Sequence, residues 1–352
     1  MNEQLNMPCR ASEDHSESRL ATAWADFICA PVLLIGFNRP DRLKAQVERL
    51  RAVKPGRVFV AVDGPRADRP VEREIVRESR KAVELIDWPC EVRTRFLEEN
   101  HGCRFAPPEA ITWFLESADE GIILEDDCVP TDDFFRFATE MLVRYRDDAR
   151  VGMVTGDNFY GFQSDAGASY HFSRHVHIWG WATWRRAWKD YDGTMARYRE
   201  TVEAILHPPK PTKFMCYWRK YLQGVLANPT TWDIQWCVAM KAHDWLCVTP
   251  CVQLVRNVGH EAGALHTGGF VYDLPYFEQT GRLAFPLRHP ESVAADEKAD
   301  RLHANRSAGY VPRALTVWGN IVRRSRLARV LGGWIIPLAY WVEKRCPVSF
   351  RI

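Results

Sequence analysis

The residues with the clearest chemistry are Glu125, Asp126 and Asp127, three acids that follow the apolar run Gly121–Leu124 directly. Carboxylates held side by side raise one another's pKa, so keeping them together costs free energy. A divalent cation removes that cost. Hard oxygen donors suit Mn²⁺ or Mg²⁺, with a diphosphate completing the coordination shell. Helix capping explains the acids less well, because Thr131, Asp132 and Asp133 stand closer to the start of the next helical segment. The cluster reads as a metal site.

Such a cluster needs a rigid mount, and the preceding sequence supplies one. Val32–Phe37 is a short apolar run that ends in Asn38, Arg39 and Pro40, which predicts a buried strand entering a turn. Arg42–Val53 places Leu43, Val47 and Leu50 on one helical face. Val58–Val62 predicts a second buried strand, stopped by Asp63-Gly64-Pro65. A helix is expected over Val71–Ile86, a strand over Glu91–Phe96, a helix over Ala110–Leu115 and a strand over Gly121–Leu124. Strand and helix in alternation predict an α/β fold with a Rossmann-like, mainly parallel central sheet flanked by helices. In such sheets ligands bind beyond the carboxyl ends of the strands. Asn38 with Arg39, Asp63 and the acid cluster all fall at those ends.

The second half reads differently. Residues 151–270 hold most of the 14 tryptophans. Trp181, Trp184 and Trp188 recur at i, i+3 and i+7, which predicts a helical stripe facing the core. Trp181 also follows Trp179-Gly180 and is a candidate for stacking on the apolar face of a sugar. The segment from His260 to His266 includes His-Glu but is no zinc-peptidase helix. Its histidines are six apart, on opposite sides of a helix of 3.6-residue period, and glycines interrupt it.

Composition excludes several classes. With 352 residues, a net charge of +2 and 46% hydrophobic residues, the chain is neither disordered nor held to nucleic acid by bulk charge. The 10 cysteines form no CxxC pair and read as reduced, buried thiols. There is no GxGxxG, GxxxxGK or GxSxG motif, which disfavours dinucleotide enzymes, P-loop NTPases and α/β-hydrolases. The apolar stretches Ile28–Phe37 and Gly332–Val342 each carry a proline and fall short of the ~20 residues that span a bilayer. No signal-peptide pattern opens the chain, so a cytoplasmic protein is expected. Residues 1–28 form a polar leader expected to be flexible. From Arg313 to Arg345 seven Lys or Arg face one Glu, and with Trp318, Trp334 and Trp341 this basic helical extension suits an anionic membrane surface.

The segments PVLLIGFNRP, VAVDGPR, ENHGCR, GIILEDDCVPTDDFF, HIWGWATWRRAW and TWDIQW resemble bacterial nucleotide-sugar glycosyltransferases of the GT-A fold. More narrowly they resemble the HlpA-like group labelled "hemolytic" proteins. They are also similar to inverting N-acetylglucosaminyltransferases with a Glu-Asp-Asp motif. The resemblance covers about residues 31–270.

It implies a role for each position. Asp127 would bind the metal directly, with Asp126 and Glu125 on metal-bound water or the donor's ribose. Asn38, Arg39 and Asp63 would line the nucleotide pocket, and the segment containing Asn100, Gly102 and Arg104 would close over it. Asp233 matches the general base of an inverting transfer, and its neighbours Trp232 and Trp236 would draw it partly out of water. Asp157 is the competing base. His266 matches the late histidine that many such enzymes offer to the metal.

The implied organisation is a nucleotide-sugar-binding half, 29–150, an acceptor half, 151–285, and the extension 286–352. The implied activity is metal-dependent transfer from a nucleotide-diphosphate sugar, with a UDP-N-acetylhexosamine the donor the resemblance suggests, to a saccharide or lipid-linked acceptor. Polysaccharide biosynthesis is the setting the resemblance suggests, and nucleic acid is not an expected partner. Two rivals remain: a nucleotidyltransferase, which shares the α/β core and metal acids, and a membrane-active protein working through the basic tail.

Overall fold

A computed structural model of the chain describes residues 27–259 and 279–307. His266, most of the polar leader and the basic segment from 313 lie outside the described residues.

In chain order the elements are β1 (Val32–Gly36), α1 (Pro40–Val53), β2 (Arg57–Val62), α2 (Glu72–Arg80), β3 (Glu91–Phe96), α3 (Ala106–Ser117), β4 (Glu120–Glu125), β5 (Cys128–Pro130), α4 (Asp132–Arg144) and β6 (Val151–Thr155). There follow β7 (Tyr170–Ser173), β8 (Trp181–Trp184), α5 (Arg185–Trp188), α6 (Arg199–Leu206), α7 (Lys213–Ala227), α8 (Asp233–Ala242), β9 (Leu246–Pro250), β10 (Val255–Asn257) and α9 (Glu297–Ser307). The helix expected over Val71–Ile86 is α2 followed by a 3₁₀ turn, Lys81–Leu85. The tryptophan stripe is a correction: Trp181 and Trp184 lie in β8, and only Trp188 is helical.

Eight strands form one sheet in the order β3-β2-β1-β4-β8-β6-β9-β7. β3, β2, β1 and β4 pair in parallel, β8 runs antiparallel between β4 and β6, and β6 pairs in parallel with β9. This is the mainly parallel α/β sheet, flanked by helices, that the alternation predicts. Strands from before and after residue 150 share it, and the described residues from 27 to His303 fall in one compact unit that continues past residue 286. A second unit, 304–352, is described only at 304–307.

Both faces of the sheet are covered, which explains why β1, β2 and β4 read as continuous apolar runs. Val32, Leu34, Val58, Val60, Ile122 and Leu124 face one core, which α1 and α4 close. Leu33, Ile35, Phe59, Ala61 and Ile123 face the other, which α3 and a tryptophan cluster close. β3 is the exposed edge. Glu91 there pairs with Arg57 and Arg93, and charged side chains on an edge discourage pairing with another chain. Among the described residues no helix is long and apolar enough to cross a membrane.

Three histidines knit α9 to the segment before β8. The rings of His175 and His303 stack 3.8 Å apart, and His177 Nε2 lies 3.2 Å from His303 Nδ1. That last bond needs one ring nitrogen to donate and the other to accept, so the two rings cannot both be protonated. Desolvation, then the neighbouring histidines, pushes His177 down to about 3. An unfolded chain protonates this ring near 6.5 and so takes up more protons as pH falls. Stability therefore drops below about pH 6.5, by up to about 1.4 kcal/mol per pH unit for each such ring. Urea unfolding of His177→Gln between pH 6.5 and 5 should show a shallower pH slope than wild type.

Candidate active site

The parallel register sets Ile35 beside both Ala61 and Glu125, so β1, β2 and β4 end at one level. Asn38-Arg39, Asp63 and Asp126-Asp127 emerge there together. Arg39 Nη1 lies 3.1 Å from Asp126 Oδ1 and 3.1 Å from Asp127 Oδ2, bridging the two acids. Asn257 Nδ2 donates to Asp127 Oδ1 at 3.3 Å, carried there by the antiparallel pairing of β10 with β5. A Cβ at Gly259 would lie 2.5 Å from Asp127 Oδ2, so a larger residue there would displace this carboxylate.

The turn after β4 is held from behind by Gln46. This buried α1 side chain donates to the carbonyl oxygens of Glu125, Asp126 and Cys128. Loss of water is the main cause that pushes Glu125 up to about 8, aided by Asp127, Asp126 and Asp233 and opposed by Arg39. Asp126 is pushed up to about 7, again chiefly by burial, with Arg39 opposing. Near neutral pH the centre is therefore short of positive charge. Among the described residues no three His, Cys, Asp or Glu side chains already converge as a formed metal site. The donor set nonetheless fits a hard divalent cation: clustered carboxylate oxygens, with Asp127 the more open of the two Arg39-bridged acids.

The other expected pocket residues take more specific places. Asp63 accepts four hydrogen bonds of 2.8–2.9 Å, from the backbone of Gly64, His101 and Gly102 and from Asn100 Nδ2. Both oxygens are engaged, so Asp63 fixes the Asn100–Gly102 segment rather than offering a free carboxylate. Gly64 permits this close approach, as a Cβ there would run into the Glu99 backbone at 2.3 Å. Asn38 turns its amide to Glu72 Oε1, 3.3 Å away. The Arg104 guanidinium lies 4.9 Å from the centre of the Phe105 ring.

Asp233 opens α8 and lies close enough for its charge to act on Glu125 and on the Cys103 thiol. Thr231 Oγ1 donates to Asp233 Oδ1, and Gln235 Nε2 donates to the Thr231 carbonyl at 2.9 Å. The start of α8 is anchored by Trp232 and Trp236, both buried against Trp181.

Two expectations fail here. Trp181 is 1% exposed and packed among Trp188, Trp232 and Trp236, so it serves the core and has no face for a sugar. Asp157 is 0% exposed, and it accepts from Gln253 Nε2, the Trp179 N–H and Thr155 Oγ1. Burial pushes its pKa well up. It braces the β6–β8 end and cannot reach an acceptor hydroxyl.

Four contributors escaped the reading of the sequence. Gln46 had a signal, as a polar residue beside Val47 on the apolar stripe of α1. Asn257 had none, being brought in by the pairing of β10 with β5; nor had Tyr191, whose hydroxyl donates to the Trp232 carbonyl at 3.2 Å, just before Asp233. Cys103 departs from the expectation of buried thiols. Cys29, Cys128, Cys247 and Cys251 are buried, but Cys103 is exposed.

No family model matches the chain, and no curated protein matches it. Among solved structures it is similar to the apo-form glycosyltransferase GlyE of Streptococcus pneumoniae TIGR4, at 8% identity and a TM-score of 0.25. That match covers 58% of this chain and 44% of the other, so the chain spans less than half the length of GlyE. The function proposed below rests on the site and not on this likeness.

The strain in the acid centre is measurable. An unfolded chain ionises Glu125 near 4.5, whereas the folded chain resists ionisation up to about 8. The folded state loses stability over that interval as pH rises. Glu125→Gln should raise the thermal midpoint at pH 8 by about 2 °C or more relative to wild type, with a smaller gain at pH 5.

Proposed function

We propose that the chain is a glycosyltransferase of GT-A type, moving a sugar from a nucleotide-diphosphate donor to a hydroxyl acceptor with inversion. One observation carries this: Asp126 and Asp127, bridged by Arg39, emerge together at the carboxyl edge of a parallel sheet, where such folds bind their ligands. The resemblance of the EDD, GWATW and TWDIQW segments agrees with it. By that resemblance the donor is a UDP-sugar of the UDP-N-acetylhexosamine kind, and the acceptor a saccharide or a lipid-linked saccharide.

Asp127 would hold Mn²⁺ or Mg²⁺, with Asp126 on metal-bound water or the donor's ribose, and the ion when bound supplies positive charge against the leaving diphosphate. Arg39 already sits between these acids and offers its guanidinium to the same phosphate oxygens. The segment fixed by Asp63 closes one wall of the nucleotide pocket. Asp233, oriented by Thr231, takes the proton of the acceptor hydroxyl as its oxygen attacks the anomeric carbon. The bond to the β-phosphate oxygen breaks on the opposite face, and one displacement inverts the configuration.

UDP release from UDP-sugars in the presence of Mn²⁺, measured with an acceptor, tests this reading. Asp233→Asn should lower transfer by about 10²-fold or more without abolishing donor binding, and Asp127→Ala should abolish both. Near-normal transfer by Asp233→Asn would remove the base, and retained configuration in the product would remove the single displacement.

A further inference from the structure

A cavity of about 460 Å³ lies beside the candidate active site, between α3 and the turn at Tyr191–Thr194. Neither the acid cluster nor Asn38 lines it. Its volume falls within the usual range for small-ligand sites. The segment Cys103–Phe105 touches both regions. Cys103 is within reach of the charges of Glu125, Asp127 and Asp233, while Arg104 and Phe105 face the cavity. On the opposite wall the Tyr191 hydroxyl donates to the Trp232 carbonyl at 3.2 Å, one residue before Asp233. The cavity and the candidate base share that support.

Three aromatic side chains line it: Phe105, Trp113 and Tyr191. Two are braced from behind, Tyr191 stacked on Trp188 at 4.5 Å and Trp113 edge-on to Phe59 at 5.3 Å. Phe105 is 51% exposed, a large apolar ring left in water. The charged lining balances, with Arg95 and Arg104 against Glu109 and Glu116, and Arg95 is already paired with Glu109 at 3.1 Å. A phosphate or other anion finds no net attraction there. A neutral polyol fits better, since its C–H faces suit braced rings and its hydroxyls suit the carboxylates and guanidinium groups.

We propose that this cavity is the acceptor subsite and that it binds a neutral saccharide, an assignment that rests on the glycosyl-transfer reading above. The sugar lies along Phe105 and Tyr191 with the reacting hydroxyl directed past Tyr191 toward Asp233. A side chain can be started at Gly193, where a Cβ would meet only the Tyr191 ring carbon and hydroxyl, at 3.7 Å.

Saturation-transfer NMR with maltose, lactose and N,N′-diacetylchitobiose as neutral probes, and 3′-sialyllactose as an anionic one, tests the assignment. UDP binding with Mg²⁺, followed by calorimetry, reports separately on the acid centre. At least one neutral probe should give a signal in wild type and in Asp127→Ala, lost in Gly193→Phe, while Gly193→Phe still binds UDP. Phe105→Ala, at a half-exposed position, should weaken the same signal should Gly193→Phe fail to fold. A signal that survives both variants, or one given by sialyllactose alone or by no probe, overturns the assignment. If UDP binds wild type and the plug changes nothing, the cavity assignment alone fails. If UDP does not bind and the plug still removes the saccharide, glycosyl transfer fails and the saccharide site stands.

Discussion

Three carboxylates at the end of one buried strand are the constraint around which this fold is arranged. Glu125, Asp126 and Asp127 leave β4 where Leu124 is still fully buried. Their mutual repulsion is met by Arg39 from the end of β1 and their backbone by Gln46 from α1. Asn257 and Gly259 approach from the β10 side, so a short second sheet exists where it can brace Asp127. The register of the parallel strands places these groups at one level. Slippage of β1 by one residue would point Arg39 away from the acids and turn the core residues of that strand outward.

The tryptophans serve the same end from the other side. Trp181, Trp188, Trp232 and Trp236 form one packed group beneath the start of α8, so Asp233 stands on an immobile base. A catalytic carboxylate gains more from such a mount than from direct contact with the rings, since positioning errors of about 1 Å cost rate steeply. Trp232 links this group to the cavity wall through Tyr191. The acid cluster, Asp233 and the cavity wall thus share one packed support.

Much of this was legible in the sequence where local chemistry decides the outcome. β3 has the bounds expected for it, and β1, β2 and β4 differ from expectation by a residue or two at their ends. Apolar runs buried on both faces and stopped by Asn-Arg-Pro, Asp-Gly-Pro or acids leave little choice. The misreadings come from pairing between distant segments. Trp181-x-x-Trp184-x-x-x-Trp188 satisfies a helical period, yet β4 and β6 on either side hold its first half as a strand. Asp157 follows a strand as Asp126 and Asp127 do, but Gln253 and the Trp179 backbone claim its oxygens. Nothing local distinguishes an acid that is braced from one that is offered.

The central claim is that the β4 acids form a cation-dependent nucleoside-diphosphate site. Calorimetric titration of UDP into the full-length chain, with Mn²⁺ and then with the metal chelated, tests it most directly. The account predicts binding in the presence of Mn²⁺ that disappears on chelation. Equal affinity without the metal, or no binding of UDP, GDP or TDP with it, would contradict the account.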